Sequence, residues 1–215
     1  MEKFILDTNL FFNMGANLGL GDKTEKIVIS LTEKILSLKK DKKAEFFMPP
    51  GAVTEFLSFF EDKEQVFLKN FLSSITIKSP DYSKINFSSS VFYKMVEDIR
   101  ARSYKGLNVA EEEIENTSRL MAGAGELSKK DFQIKVGGVI KKFRERYRNA
   151  TRTGFLDSLV DLDLIALSHE QNGFLVTTDE GVLNWGRIFG VKEMPSSVFL
   201  KRLEDLEGRE SRHQG

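Results

Sequence analysis

The stretch "DSLVDLDLIALSHEQNGFLVTTDEG", residues 157 to 181, decides how the chain is read. Its first part is apolar at helical spacing and stops at Asn172-Gly173. Its second part, "FLVTT", is a short β-prone run with Asp179 just past its end. A helix that feeds a buried strand through a tight turn is half of a parallel βαβ arrangement. The same stretch sets a puzzle. Asp157, Asp161 and Asp163 place three carboxylates within seven positions of a segment otherwise fit for a core.

The pattern recurs along the chain. "KFIL" (3–6) reads as a buried strand ending at Asp7, followed by a Gly- and Asn-rich loop over 13–23. Residues 24–40 read as a helix with Ile27, Leu31, Ile35 and Leu38 on one stripe. "AEFFMPP" (44–50) is a second strand stopped by two prolines. Helices over 51–60 and 63–73 lead to a third strand, "ITIKSP" (75–80). After the helix placed at 156–171 and the strand at 174–178, "RIFGVKEMP" (187–195) holds a fifth strand, and 196–206 a last helix. This alternation predicts an α/β fold of three layers, α/β/α, with a central parallel sheet. Residues 81–153 interrupt it with an all-helical insertion: a helix over 88–104, an acidic helix over 109–121 with "EEEIE", and a long helix over 129–152. The discontinuous α/β domain therefore covers 1–80 and 154–206, and 207–215 form a flexible tail.

Composition excludes more than it selects. The 215 residues, 40% hydrophobic and 30% charged, suit one domain of ordinary size with an insertion. Formal net charge is zero, so only the distribution of charge can inform. With no cysteine, disulfides, thiolate metal sites and cysteine nucleophiles are excluded, and a reducing compartment follows. Neither a signal peptide nor a membrane span is visible, which places the chain in the cytoplasm. The 18 phenylalanines, against 4 tyrosines and 1 tryptophan, read as core packing. The two histidines, His169 and His213, offer no Ser-His-Asp set. "GANLGLG" (15–21) lacks the Lys-Ser/Thr end of a phosphate loop.

The carboxylates have one reading that joins them. In open parallel sheets, ligands bind beyond the carboxyl ends of the strands, where Asp7 and Asp179 stand. On a helix that includes both, Asp157 and Asp161 share a face, whereas Asp163 lies about 200° from Asp161. Leu159, Leu162, Ile165 and Ala166 supply the buried stripe of that helix. Four carboxylates at close range repel one another, and a hard divalent cation such as Mg²⁺ or Mn²⁺ resolves the conflict. Such a site suits phosphoryl-ester hydrolysis. Each acid alone also reads as a turn residue or helix cap. Glu55, on the helix after the second strand, is a fifth acid. Asn9, with Thr8, and Thr178 can orient Asp7 and Asp179 by hydrogen bonds.

"LDTNLF" (6–11), "TEF" (54–56), the acids at 157 and 161, and "TTDEG" (177–181) together resemble the PIN-domain ribonucleases. The helical insertion, followed by "SLVDLDLIALSHE" (158–170) and "TTDEGVLNWG" (177–186), is similar to the homologues of Aquifex RNase P (HARP), which are protein-only RNase P enzymes. The resemblance covers roughly 1–80 and 154–200. It implies a Mg²⁺-dependent endoribonuclease, with Mn²⁺ as a substitute, that removes 5′ leaders from precursor tRNA and leaves a 5′-phosphate and a 3′-hydroxyl. It also implies a large homo-oligomer assembled through the insertion. Carried over by position, the catalytic metal ligands are Asp7, Asp157, Asp161 and Asp179, with Asp163 inside the same acidic cluster.

Between Lys129 and Arg152, nine Lys or Arg face two acids, Asp131 and Glu145. Lys129, Lys130, Lys141, Lys142, Arg144, Arg146, Arg148 and Arg152 are the candidate RNA-binding residues. The same helix carries a narrow apolar stripe, Phe132, Val136, Val139, Phe143 and Tyr147, suited to pairing with another helix. Tyr147 belongs to that stripe more readily than to a base-stacking role. Gly137 and Gly138 would permit close approach there. Two rival readings stand beside this one. A toxin or rRNA-processing PIN ribonuclease would ordinarily be shorter and lack the insertion. A non-catalytic RNA-binding oligomer would not need all four acids.

Overall fold

Among the described residues five strands form: β1 (Glu2–Leu6), β2 (Ala44–Met48), β3 (Thr76–Ile77), β4 (Phe174–Thr177) and β5 (Lys192–Pro195). They make one sheet in the order β3-β2-β1-β4-β5, parallel throughout. The computed structural model describes residues 1–12, 23–123, 125–156 and 158–208. The loop expected over 13–23 falls outside that description except for Lys23, and so do Asp157, His213 and all of the tail past 208. The helices are α1 (Asn9–Phe12), α2 (Thr24–Lys40), α3 (Pro50–Ser58), α4 (Val66–Ser74), α5 (Ser89–Ala122), α6 (Lys129–Arg152), α7 (Leu159–Gln171), α8 (Glu180–Ile188) and α9 (Ser196–Glu207). Helices flank the sheet, so the expected α/β architecture is the one found. Among the described residues, no helix is long and apolar enough to cross a membrane.

The phenylalanines explain much of the core. Phe4 is fully buried, and the strand register sets Phe46 on one side of it and Phe174 on the other. Their rings stack at 5.4 and 5.7 Å, and Phe199 of α9 meets Phe4 edge-on at 5.3 Å. These aromatic contacts add to the burial of apolar area and favour this register over a slipped one.

The chain divides into two compact units, Met1–Phe87 with Leu156–Gly215, and Ser88–Phe155. In the second unit the expected break between two helices does not occur. α5 runs unbroken from Ser89 to Ala122. Gly106, in the segment that reads as a break, is a site of close approach instead. A Cβ there would lie 2.8 Å from Tyr147 Cε2 and 3.1 Å from Thr151 Cγ2 of α6. At Gly137 and Gly138, the residues expected to allow close approach, an added Cβ would meet nothing within 4 Å among the described residues.

Other expectations shift in detail. On α2 the buried stripe is Val28, Leu31, Thr32, Ile35 and Leu38, and Ile27 lies at its margin. The third strand is only Thr76–Ile77. α7 begins at Leu159 behind Ser158, whose hydroxyl accepts from the Val160 N–H at 3.1 Å. Leu159 and Leu162 do not join its buried stripe: Leu159 is 80% exposed and Leu162 half-buried. The core is filled by Leu164, Ile165, Ala166 and Leu167, a consecutive run that wraps the helix. A helix buried on every side carries no amphipathic signal to read.

The "NG" stop of α7 divides its work. Asn172 takes the left-handed conformation (φ 49°), and Gly173 supplies room. A Cβ on Gly173 would lie 2.6 Å from Ile5 Cδ1 and 2.9 Å from the Lys3 carbonyl oxygen. The carbonyl cannot rotate away, so G173A must push β4 from β1. We expect a loss of roughly 1–3 kcal/mol of stability, the usual cost of overpacking. Denaturant unfolding checks this, and a variant as stable as the parent would contradict the contact.

Candidate active site

The sheet order creates a switch point. The chain leaves β1 toward β2 and β3, then returns to place β4 and β5 on its other side. Adjacent connections diverge at the carboxyl ends of β1 and β4, which opens a crevice there. Asp7 sits in it, tied by its own N–H to the Val176 carbonyl at 3.0 Å.

Asp7 is only 2% exposed. Its Oδ2 accepts from the Thr177 hydroxyl and from Asn9 Nδ2 (3.3 Å), and its Oδ1 accepts from the Asn9 N–H (3.4 Å). Burial pushes the Asp7 carboxyl up from its ordinary value, and the hydrogen bonds from Thr177, Asn9 and Thr8 only partly offset this. The Thr177 hydroxyl also accepts from the Asp179 N–H at 3.0 Å, so one side chain fixes both strand ends. Asn9 thus hydrogen-bonds Asp7, and the threonine that reaches Asp7 is Thr177. Thr178 instead directs its hydroxyl at the Asn9 carbonyl, 3.5 Å away. Thr8 donates to the Ala52 carbonyl at 3.0 Å, which moors the loop after β1 to α3.

The remaining acids take distinct stations. Asp179 caps α8, its Oδ1 accepting from the N–H groups of Gly181 (2.7 Å) and Val182 (3.2 Å). Glu55 stands on the exposed side of α3, yet close enough to the crevice to feel Asp7. Desolvation first, and then the Asp7 charge, push its carboxyl up, while Thr8 pulls it down. Asp161 lies in the first turn of α7, where the helix dipole favours negative charge. Val160 beside it packs against Gly51 at the start of α3, so this end of α7 belongs to the same rim. Asp163 accepts a hydrogen bond from the Tyr82 hydroxyl. Partial burial and then Asp163 push the Tyr82 phenol up to about 12, which keeps it a donor. Because α7 starts at Leu159, the shared-face argument for residues 157 and 161 does not apply; Asp157 itself lies outside the described residues. Among the described residues, no three His, Asp or Glu gather closely enough to hold a metal ion. His169 is structural, its ring 5.2 Å from that of Phe87.

A family profile described as PINc domain ribonuclease matches residues 3–207, which includes the whole insertion. The RNA-free ribonuclease P of Thermococcus kodakarensis is 36% identical over 208 residues, 95% of each chain. That of Thermodesulfovibrio yellowstonii is 34% identical over 191 residues, covering 89% of this chain and 88% of its own. That of Pyrococcus abyssi is 33% identical over 210 residues, covering 96% and 93%. The chain belongs to the RNA-free ribonuclease P family of PINc-domain ribonucleases.

In this ribonuclease P family member, the basic helix divides into two groups. Arg146 pairs with Glu112 and Glu113 of α5, and Lys142 reaches Glu113 at 3.2 Å. Arg146 beside Glu113 holds that carboxyl below its ordinary value. Lys142 and Arg146 therefore serve the hairpin first. At about 100° per residue, Lys130, Lys141, Arg148 and Arg152 fall within about 40° of one another, with Arg144 at their margin. All five are exposed, opposite the face that carries Phe143 and Tyr147. Lys129 is exposed at the start of the helix, away from this stripe. Tyr147 lies against Gly106 and Phe143, as a member of the apolar stripe should.

The buried Asp7 carboxylate has a consequence for stability. Its folded value lies above the ordinary 3.8, so the native state holds the proton more tightly than the unfolded chain. Stability is fullest below the unfolded value and declines as pH rises through the folded one. In chelator, D7N should exceed the parent in stability at neutral pH, and the gap should narrow in acid. Urea unfolding at both pH values tests this. A D7N protein less stable at neutral pH would show that the hydrogen bonds to Asp7 outweigh its burial.

Proposed function

We propose that this chain removes the 5′ leader of precursor tRNA by divalent-metal-dependent hydrolysis, leaving a 5′-phosphate and a 3′-hydroxyl. The observation that carries this reading is Asp7. It is a carboxylate buried at the sheet's switch point with its ionised form disfavoured, and its charge reaches Glu55. A site that disfavours its own negative charge is relieved by a cation, and all-oxygen donors suit Mg²⁺, with Mn²⁺ as a substitute. PIN-domain nucleases generally use divalent metal ions. We assign the ion to Asp7, Asp157, Asp161 and Asp179, with Asn9, Thr177, Glu55 and Asp163 in support and Thr178 acting through the Asn9 carbonyl. When bound, the cation supplies Lewis-acid activation of water and neutralises charge on the reacting phosphate.

The chain's own residues prepare that site. Thr177 and Asn9 fix the orientation of Asp7. Asp179 commits Oδ1 to its helix cap, which aims the carboxylate by a rigid element. No protein nucleophile is required, because water attacks the phosphorus.

The helical unit supplies grip and assembly in this proposal. α6 buries no residue fully, and Ile114 of α5 stays 67% exposed beside an apolar groove of about 520 Å³ lined by Met121, Val139, Ile140 and Phe143. Apolar surface left open on a helical pair supports self-association into a large homo-oligomer. The stripe of Lys130, Lys141, Arg144, Arg148 and Arg152 supports phosphate contact with the tRNA body. Such contacts read A-form shape and not sequence. The enzyme is proposed to work in the cytoplasm.

Incubation with a leader-bearing tRNA and with bulk RNA, each with and without Mg²⁺, tests the function. A single cut at the mature 5′ end, lost in chelator and in D7N, is expected. Scattered cuts in bulk RNA would favour a toxin-like or rRNA-processing ribonuclease, and RNA binding without any cut a non-catalytic oligomer. Replacing Arg144 and Arg148 together with glutamine should weaken tRNA binding and reduce the salt slope by about 1.5–2, one unit or slightly less for each phosphate no longer neutralised. An unchanged slope would remove those two side chains from the interface.

A further inference from the structure

The two segments that follow Asp7 and carry Glu55 also meet through aromatic rings. Phe12 ends α1, five residues after Asp7, and Phe59 follows α3, four residues after Glu55. Phe59 keeps helical backbone angles (φ −79°, ψ −8°), so it continues the face that carries Glu55, about 6 Å further along. The two rings stack at 3.9 Å with 20° between their planes. Phe59 nevertheless remains 57% exposed. Phe12 covers one face of the ring, and the residue still meets solvent elsewhere. Phe12 is steadied from below by Phe11, Phe56 and Phe60. The result is a supported aromatic pair, partly open to solvent, on the two segments that follow Asp7 and carry Glu55.

We infer that Phe59, backed by Phe12, is a stacking platform for one unpaired base of the leader next to the cut. The inference rests on the leader-removing reading above and specifies how that same site holds its substrate. An aromatic face receives any base, because every base has a π-face, and it requires that the base be unpaired. Bases of the acceptor stem are occupied in pairs; the leader and the single-stranded 3′ end can each supply one, and the leader is the strand that continues across the cut. Stacking would hold the leader's backbone across the acids without reading its sequence, which suits a substrate class with varied leaders.

The test compares the intact enzyme with F59A, F59L and F59W on two precursors. One has a natural leader, and the other has an abasic residue at the last leader position. For the parent, the abasic change should lower kcat/KM by about ten-fold, within the range for one lost base stack. F59A should lose a similar factor on the natural precursor and become indifferent to the abasic change, with mature-tRNA binding unaltered. F59L keeps apolar bulk without an aromatic face and should behave like F59A, whereas F59W should cleave like the parent. Parental activity in F59L, or losses from F59A and the abasic residue that multiply, would overturn the platform while leaving the ribonuclease reading intact. A parent enzyme that cuts no precursor tRNA would sink both.

Discussion

The hydrogen bond from Thr177 to Asp7 is the contact on which the site depends. It joins two strand ends that are neighbours only because β4 returns to lie against β1. The same hydroxyl accepts from Asp179, so the cap of α8, and with it the direction of that helix, is set by the bond that orients Asp7. A buried carboxylate is costly to ionise, and a fold whose only requirement was stability would place an apolar residue there. The chain retains the acid and surrounds it with donors that only partly offset the burial. In the proposed reading, that imbalance is what a bound cation would relieve.

Charge in the helical unit follows a related logic. A chain of zero formal net charge can still present a strongly basic surface if its acids are sequestered. Glu112 and Glu113 sit on the α5 side that meets α6, where they engage Arg146 and Lys142. The outward basic side chains of α6 then face solvent with one acid, Glu145, beside them. These pairs are modest contributors to stability. Their larger effect is to sort the charges by face, which net charge alone cannot reveal.

Much of the architecture is legible in the residues because it rests on periodicity. Short apolar runs ending in Asp7 and Asp179 identify strands and the rim at which they end. Three features escape such reading for physical reasons. Gly106 looks like a helix break because glycine has low helix propensity, but packing against Tyr147 overrides propensity. The start of α7 is ambiguous because Ser158, the actual cap, stands one residue after an aspartate that could also have capped it. Thr178 looks the better partner than Thr177 because it adjoins Asp179 in sequence, yet which hydroxyl reaches Asp7 depends on the pairing of β4 with β1. The contact of Tyr82 with Asp163 and the exposure of Phe59 are equally hidden. Nothing local marks a tyrosine that will meet an acid 81 positions away, or a phenylalanine that will remain open among so many buried ones.

The acids of α7 need a rigid carrier, and the helix is held along its whole length. Ser158 caps its start, Val160 packs on Gly51, and Asn172 with Gly173 closes its end. The segment after β3 adds a lateral restraint: Lys78 reaches Glu170 at 2.6 Å, the Asp81 N–H donates to the same carboxylate at 3.0 Å, and Tyr82 donates to Asp163. Lys78 holds Glu170 below its ordinary value, so that carboxylate stays charged and committed to the strap. Asp163 is likewise engaged by Tyr82, about 200° around the helix from Asp161. The two acids of "DLD" therefore have different tasks: Asp161 stands at the rim, and Asp163 anchors the helix that presents it. A carboxylate held by a phenol can still contribute its second oxygen, so anchoring and metal support are compatible roles for Asp163. Fixing the helix from several directions holds Asp161 at a set position on the rim.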